Sequence, residues 1–97
     1  MRLSDEEMEA ALEGLPGWRY DEGARAIRRD FAFAGFGEAF AFMTRAALAA
    51  EKADHHPDWS NSWNRVAVAL STHSEGGVTE KDIALARVMD GFAARLP

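Results

Sequence analysis

The chain has 97 residues, and 47% of them are hydrophobic, which is enough for one domain around one core. Sixteen acidic residues against eleven basic ones give a formal net charge of -5. This charge repels phosphate backbones, so direct binding of nucleic acid is not expected. The absence of cysteine excludes a disulfide framework, thiolate catalysis and a zinc site built on sulfur. The first residues soon become acidic and contain no apolar run suited to a signal peptide or a membrane span. We therefore expect a single domain over residues 1–97, soluble, cytoplasmic and not associated with a membrane.

The N-terminal third predicts one short helix followed by two strands. Ser4 and Glu7 have the spacing of a capping box, so we predict a helix over residues 4–14. Apolar and polar residues then alternate on both sides of a turn signal at residues 21–23, as they do in a β-hairpin. Arg29 interrupts the apolar face of the second strand.

A longer helix is predicted from Phe36 to about Ala53, because Pro57 forbids much continuation. Its apolar residues recur at spacings of four and three, which places them on one face. We expect this stripe to pack against the sheet; its members are Phe36, Phe40, Met43, Ala47 and Ala50.

The remaining sequence predicts two more strands and a last helix. The segments WSNSW and VAVALST read as an antiparallel pair with a turn near Asn64-Arg65, and His73 follows directly. Thr79 and Asp82 form the start signal of the last helix. The element order α-β-β-α-β-β-α predicts an α+β fold: a four-stranded, mainly antiparallel sheet with helices on one face.

The segment DHHPDW contains two of the three histidines. Adjacent residues of a helix point about 100° apart, so His55 and His56 cannot face one atom while both are helical. Pro57 disfavours helical geometry at His56, and the two imidazoles could then reach one cavity from an irregular rim. Glu51 lies one helical turn before His55, and Asp54 is adjacent, so either carboxylate could orient a ring or favour its charged form.

The residues alone leave several alternatives open. Imidazole and carboxylate are common metal ligands, but a metal site is disfavoured because neither a His-x-His nor a His-x-x-x-His spacing is present. The two histidines could simply cap the carbonyl groups at the helix end. Trp63 could serve core or dimer packing, Asp82 could serve only as a helix cap, and Glu51 could be a solvated charge.

The segment from Glu51 to Asp82 resembles the pterin-4a-carbinolamine dehydratase family, also known in animals as a dimerisation cofactor of a hepatocyte nuclear factor. The residues that match the family pattern and its spacings are Glu51, His55-His56-Pro57, Trp63, His73 and Asp82. Trp63 stands where tyrosine is frequent in the family. The resemblance is specific at the motif, and the predicted order of elements is similar to the family fold over essentially the whole chain.

The resemblance implies a dehydratase that removes water from a 4a-hydroxytetrahydropterin and forms quinonoid dihydropterin. This reaction recycles the cofactor of aromatic amino acid hydroxylases, and it requires no metal and no cofactor of its own. It needs one proton donated and one removed, and imidazole suits both tasks because its ordinary pKa is about 6.5. The resemblance implies His55 and His73 as the acid and base pair, and His56 as a residue that holds the pterin ring.

The resemblance also implies supporting residues. Glu51 and Asp54 would orient or charge the histidines, and Pro57 would fix the rim of the pocket. Trp63 would line or support the pocket. Asp82 would anchor the far wall or orient His73.

The expected partners follow from the same resemblance. They are the pterin carbinolamine, further copies of the chain in a homodimer or homotetramer, and an aromatic amino acid hydroxylase. Open sheet edges also favour association. The alternative function is a non-catalytic interaction, regulatory or assembly module of the same fold, and the presence of all three histidines favours the enzyme.

Overall fold

Three helices and four strands form the chain, in the predicted order. A computed structural model describes all 97 residues. The elements are α1 (Asp5–Glu13), β1 (Arg19–Asp21), β2 (Ala26–Ala32), α2 (Phe36–Ala53), β3 (Asp58–Ser62), β4 (Arg65–Leu70) and α3 (Glu80–Ala93), with a short 3-10 turn at His73–Glu75 before α3. The sheet has the order β1-β2-β4-β3, and every neighbouring pair is antiparallel. The predicted α+β fold is therefore confirmed.

The two faces of the sheet differ sharply in composition. On β2 and β4 the register pairs Ile27 with Leu70 and Phe31 with Val66, and all four side chains are buried against the helices. Side chains alternate between the two faces of a strand, so the residues between these point to the opposite, open face. On β4 that open face carries Arg65 at the start of the strand, followed by Ala67 and Ala69.

Arg29 interrupts the apolar face of β2, as predicted, and α3 neutralises its charge. Its Nη1 donates to Asp90 Oδ1 at 2.7 Å, and the guanidinium lies 4.3 Å from the ring centroid of Phe31. Trp18 Nε1 donates to the same carboxylate oxygen at 2.8 Å. The contacts join β2 to α3, and they explain how a cation is tolerated beside the core.

The predicted core stripe of α2 is wrong by about one position. The buried residues of this helix are Ala39, Phe42, Ala46 and Ala50, so only Ala50 of the predicted stripe is fully buried. Phe42 packs 4.6 Å from Phe31 and 5.1 Å from Phe33, measured between ring centroids. Both faces of α2 are apolar, and this aromatic cluster decides which of them is buried. Phe36 and Phe40 remain 51% and 57% exposed.

Element boundaries follow the local signals closely. Both predicted capping boxes are present, at Ser4 for α1 and at Thr79 for α3. The turn between β3 and β4 lies at residues 63–64, one residue earlier than predicted. None of the helices combines the length and the apolar character that spanning a membrane would require.

The capping box of α1 predicts a pH dependence of stability. The Ser4 amide donates to Glu7 Oε1 at 2.9 Å, and the Glu7 amide donates to Ser4 Oγ at 3.1 Å. The hydrogen bond from the Ser4 amide, followed by that of the Ser4 side chain, lowers the pKa of Glu7 below its ordinary value of 4.5. A carboxylate with a lowered pKa in the folded state stabilises that state above the unfolded pKa, and the effect is lost as the pH falls through the folded pKa. Glu7→Gln keeps the acceptor oxygen but cannot ionise. We expect the wild type to be more stable than Glu7→Gln at neutral pH and the difference to vanish in acid, measured by urea unfolding at a series of pH values. A difference that stays constant with pH would contradict this reading.

Candidate active site

The end of α2 sets the direction of the first two histidines. Asp54 adopts a left-handed conformation, with φ of 52°. The amide of His55 donates to the carbonyl of Ala50 at 3.0 Å, and the amide of Asp54 donates to that of Glu51 at 3.1 Å, which together form a Schellman motif. The chain therefore leaves the helix at Asp54, and the expectation that Pro57 ends it is corrected.

His55 points into the protein and is held there by Asp82. Its side chain is only 10% exposed, and its Nε2 lies 2.5 Å from Oδ1 of the fully buried Asp82. The other oxygen of this carboxylate accepts from the Thr72 hydroxyl and from the Thr79 amide, each at 2.9 Å. An ionised carboxylate can only accept hydrogen bonds, so Nε2 of His55 donates to Asp82, and in the neutral form of the ring the lone pair lies on Nδ1.

His56 points outward and pairs with Glu51. Its Nε2 lies 3.0 Å from Glu51 Oε1, and both side chains are largely exposed. Two expected pairings are thereby corrected: Glu51 contacts His56 and not His55, and Asp82 contacts His55 and not His73. The left-handed turn at Asp54 causes both changes, because it rotates the following residues relative to the helix.

His73 lies in the 3-10 turn that follows β4. The turn is closed by hydrogen bonds between Thr72 and Gly77 and by Gly76 in a left-handed conformation. His73 is 83% exposed, and its Nε2 lies 3.5 Å from Oδ2 of Asp58, the first residue of β3. Sequence analysis assigned no role to Asp58, although it belongs to the DHHPDW segment. Its position directly after Pro57 was the feature of the sequence that could have identified it as a site residue.

One open cavity of about 330 Å³ brings the three histidines together. Apart from the ring of Pro57 its lining is polar or charged, and it includes the predicted Asp54 and Pro57. Asp54 makes no side-chain hydrogen bond. Lys81, on the first turn of α3, also lines the cavity and was missed, because nothing in the sequence distinguishes it from a solvated lysine.

Trp63 lies outside this cavity, which corrects the expectation that it lines the pocket. It occupies the turn between β3 and β4 with φ of 49°, and it is 66% exposed. The turn is at the end of β3 remote from the histidines, since the strand begins directly after Pro57. Trp59, by contrast, packs against the hydrophobic core.

The cavity offers two imidazoles in different surroundings. His55 is fixed by a buried carboxylate, whereas His73 is exposed to solvent beside an accessible one. No group of three or more histidine, aspartate or glutamate side chains is arranged to hold a metal ion.

Comparison with known proteins identifies the family. The model of the protein family described as "Pterin 4 alpha carbinolamine dehydratase" matches residues 1–92 of this chain. The chain belongs to this family. A relative from Afipia carboxidovorans, named "Putative pterin-4-alpha-carbinolamine dehydratase", is 59% identical over 93 residues, which are 96% of this chain and 93% of the relative.

Two solved structures share the fold. The crystal structure described as "transcriptional coactivator/pterin dehydratase from Brucella Melitensis" has a TM-score of 0.94 and 55% identity, and the match covers 96% of this chain and 99% of that one. A pterin dehydratase-like protein identified as a RuBisCO assembly factor in the alpha-carboxysome has a TM-score of 0.68 and 24% identity, over 79% and 89% of the two chains. At this identity the second likeness concerns the fold alone.

The buried carboxylate predicts a matched pair of variants. Asp82→Ala leaves Thr72, the Thr79 amide and His55 without their acceptor, and we expect it to lower the free energy of unfolding by about 3–5 kcal/mol. Asp82→Asn keeps the size and much of the hydrogen bonding, so its loss should be clearly smaller. The asparagine amide would donate to His55 Nε2 and move the ring proton to Nδ1, which nitrogen chemical shifts of the imidazole report by NMR. Equal losses in the two variants, or an unchanged tautomer in Asp82→Asn, would contradict this account of the site.

Proposed function

We propose that this protein is a dehydratase that eliminates water from a 4a-hydroxytetrahydropterin and yields quinonoid dihydropterin, the reaction that recycles the cofactor of aromatic amino acid hydroxylases. Membership of the family supports the substrate class. The observation that carries the proposal is the convergence of all three histidines on one polar cavity. A cytoplasmic location, compatible with the lack of cysteine, belongs to the same proposal.

The reaction requires two proton transfers. The bond between carbon 4a and the hydroxyl oxygen breaks, and a proton donated to that oxygen lets it leave as water. The proton of the neighbouring ring nitrogen is removed as the new carbon to nitrogen double bond forms. The elimination is not a redox reaction, because the two products together keep all the electrons of the substrate. One proton donor and one proton acceptor are therefore sufficient.

His55 is suited to remove the ring proton. Its Nε2–H donates to the buried Asp82, so the lone pair of the neutral ring lies on Nδ1. When Nδ1 accepts a proton, the resulting positive charge lies beside the Asp82 carboxylate, which stabilises it. Asp82 acts here as a positioning residue: it fixes the tautomer and the orientation of the base without touching the substrate.

His73 is suited to protonate the leaving hydroxyl. Its ring is exposed, so it can regain a proton from solvent after each turnover, and Asp58 lies beside it. His56, paired with Glu51, would hold the pterin ring, and Pro57 and Asp54 would shape the rim. Lys81 would add a donor on the α3 side of the cavity.

Removal of the proposed acid gives the first test. A positioned general acid contributes roughly 100-fold to 10,000-fold, so His73→Ala should lower turnover by at least about 100-fold. The assay follows the dehydration of enzymatically generated carbinolamine by absorbance, against a control without protein. A loss of less than tenfold in a folded variant would contradict the assignment.

Two further variants in this assay separate the roles. His73→Gln keeps a polar side chain but cannot act as an acid, so it should lose as much turnover as His73→Ala. Asp82→Asn should lower turnover while the fold persists, because it moves the ring proton of His55 onto the nitrogen that would act as the base. If the folded wild type does not exceed the control without protein, the alternative remains: an interaction or assembly module in which the histidines serve no chemistry.

We also propose that the chain forms a homodimer or homotetramer. Phe36, Phe40 and Leu48 on the outer face of α2 are all more than half exposed, and the two phenylalanine rings lie 5.9 Å apart. Thr44, one helical turn after Phe40 and one before Leu48, donates its hydroxyl to the Phe40 carbonyl at 2.9 Å, which satisfies its polar group within the helix. One edge of β3 has no partner strand. An apolar helix face and an open sheet edge are the surfaces that association would cover.

An aromatic amino acid hydroxylase is the further partner that the proposed reaction implies.

Charge on the outer face of α2 tests the oligomer. Phe40→Glu should move the sedimenting species towards the 10.7 kDa monomer, because a carboxylate would have to be buried in the contact. Arg45→Glu, on an exposed side of the same helix away from this stripe, adds the same residue and should leave the assembly intact. A wild type that sediments only as a monomer would contradict the proposal.

A further inference from the structure

The turn that carries His73 is closed mainly by hydrogen bonds within itself. The Thr72 amide donates to the Gly77 carbonyl at 2.9 Å, and the Gly76 amide donates to the His73 carbonyl at 3.1 Å. At its start the turn is anchored by the Thr72 hydroxyl, which donates to Asp82. The His73 ring is 83% exposed and is paired only with Asp58, at 3.5 Å. The position of the ring therefore depends on how the far end of the turn is held.

Open space borders this turn on the side of α3 as well as on the side of the histidines. A second open cavity of about 330 Å³ lies between the turn and the first helical turn of α3. Thr72, Ser74 and Lys81 line both this cavity and the histidine cavity. The exposed residues of the turn gain little from packing, and segments with few packing contacts open most readily.

Arg2 and Leu3 cover the far end of the turn, and we call these two residues the N-terminal clamp. The Leu3 amide donates to the carbonyl of the buried Val78 at 2.8 Å, and the Leu3 side chain packs against the core. The aliphatic stem of Arg2 lies over Gly77: a β-carbon at Gly77 would be 2.8 Å from Arg2 Cδ and 3.3 Å from Arg2 Cγ. The backbone of Gly77 is not left-handed, so the close approach of Arg2 is what requires glycine there.

Helix α1 fixes the direction of the clamp. Ser4, the residue directly after the clamp, is the N-cap of α1 and forms the capping box with Glu7. A capping box fixes the angle at which the chain enters its helix, so the clamp is attached firmly to α1. No residue of α1 lines the histidine cavity. The clamp is thus a physical connection between this helix and the site.

We infer that the N-terminal clamp positions His73 for proton transfer and that Arg2 acts through its aliphatic stem, not through its charge. The inference rests on the proposed function and adds two positioning residues, neither of which lines the histidine cavity. Release of the clamp frees the turn, and a misplacement of about 1 Å can cost on the order of 100-fold in rate. His55 and His56 belong to a different segment, so binding of the ring is retained and the loss falls on kcat.

Two substitutions of Arg2 separate the stem from the charge. Arg2→Ala removes both, whereas Arg2→Met removes the charge and keeps an unbranched stem over Gly77. We expect Arg2→Ala to lower kcat about tenfold and to change KM by less than about twofold, and Arg2→Met to stay within about twofold of the wild type in both constants.

Arg95→Ala is the matched control, because it removes an exposed arginine just beyond the opposite end of α3. It should change neither constant. Equal losses in Arg2→Ala and Arg2→Met would mean that the charge acts, and they would overturn the inference. An unchanged kcat in Arg2→Ala, or a loss confined to KM, would overturn it too.

A double variant tests whether Arg2 acts through Gly77. Gly77→Ala places a methyl group where the Arg2 stem lies, so we expect it to displace the stem and to lower kcat. Once Arg2→Ala has removed the stem, the new methyl group has nothing to displace. The double variant should therefore lose no more than Arg2→Ala alone. Losses that multiply would show two independent effects and would contradict the inference.

Amide exchange separates this inference from the proposed function. Measured residue by residue by NMR, the Thr72 and Gly77 amides should exchange at least about tenfold faster in Arg2→Ala than in the wild type, and no faster in Arg2→Met. If the wild type does not dehydrate the carbinolamine, the proposed function fails and the exchange rates decide whether the clamp holds the turn. Faster exchange confined to the turn supports the clamp, and uniform or absent acceleration overturns it.

Discussion

The contact between Asp82 and His55 joins the three parts of the chain that form the site. Asp82 belongs to the first turn of α3, His55 follows α2, and Thr72, which bonds the same carboxylate, follows β4. A buried carboxylate is costly unless every oxygen is paired, and here the Thr79 amide completes the set. The helix cap of α3 and the orientation of a site histidine thus depend on one side chain. A displacement of either helix end would break contacts at both.

This constraint also divides the histidines by environment. His55 is drawn inward to a fixed carboxylate, while His56 and His73 remain at the surface beside exposed ones. Groups of the same chemical type can perform opposite proton transfers only when their surroundings differ. The left-handed residue at Asp54 produces the first part of this division, because it turns two adjacent histidines to opposite sides. An aspartate tolerates that conformation better than most residues.

Local signals in the sequence predicted much of the fold, and long-range contacts decided the rest. Ser4 and Thr79 identified two helix starts because a capping box involves residues only three apart. The core face of α2 could not be read in this way, since the helix is apolar on both sides and the choice depends on Phe31 and Phe33 from another element. The pairing of His55 with Asp82 spans 27 positions and follows from the backbone turn at Asp54, which carries no distinctive sequence signal. The motif therefore named the three histidines that line the cavity, but it also named Trp63, which lies outside it, and it did not reveal which side chains are in contact.

The two faces of the sheet divide the residues that stabilise the fold from those that remain at the surface. Its covered face holds the large apolar side chains of β2 and β4, and any charge there, such as Arg29, is paired with a helix. Its open face bears alanines at the centre, where a larger apolar residue would gain little burial in a single chain. Small side chains on that face keep the approach to His73 unobstructed. The requirements of packing consequently fall on one side of these strands, so the open face can be substituted while the core is preserved.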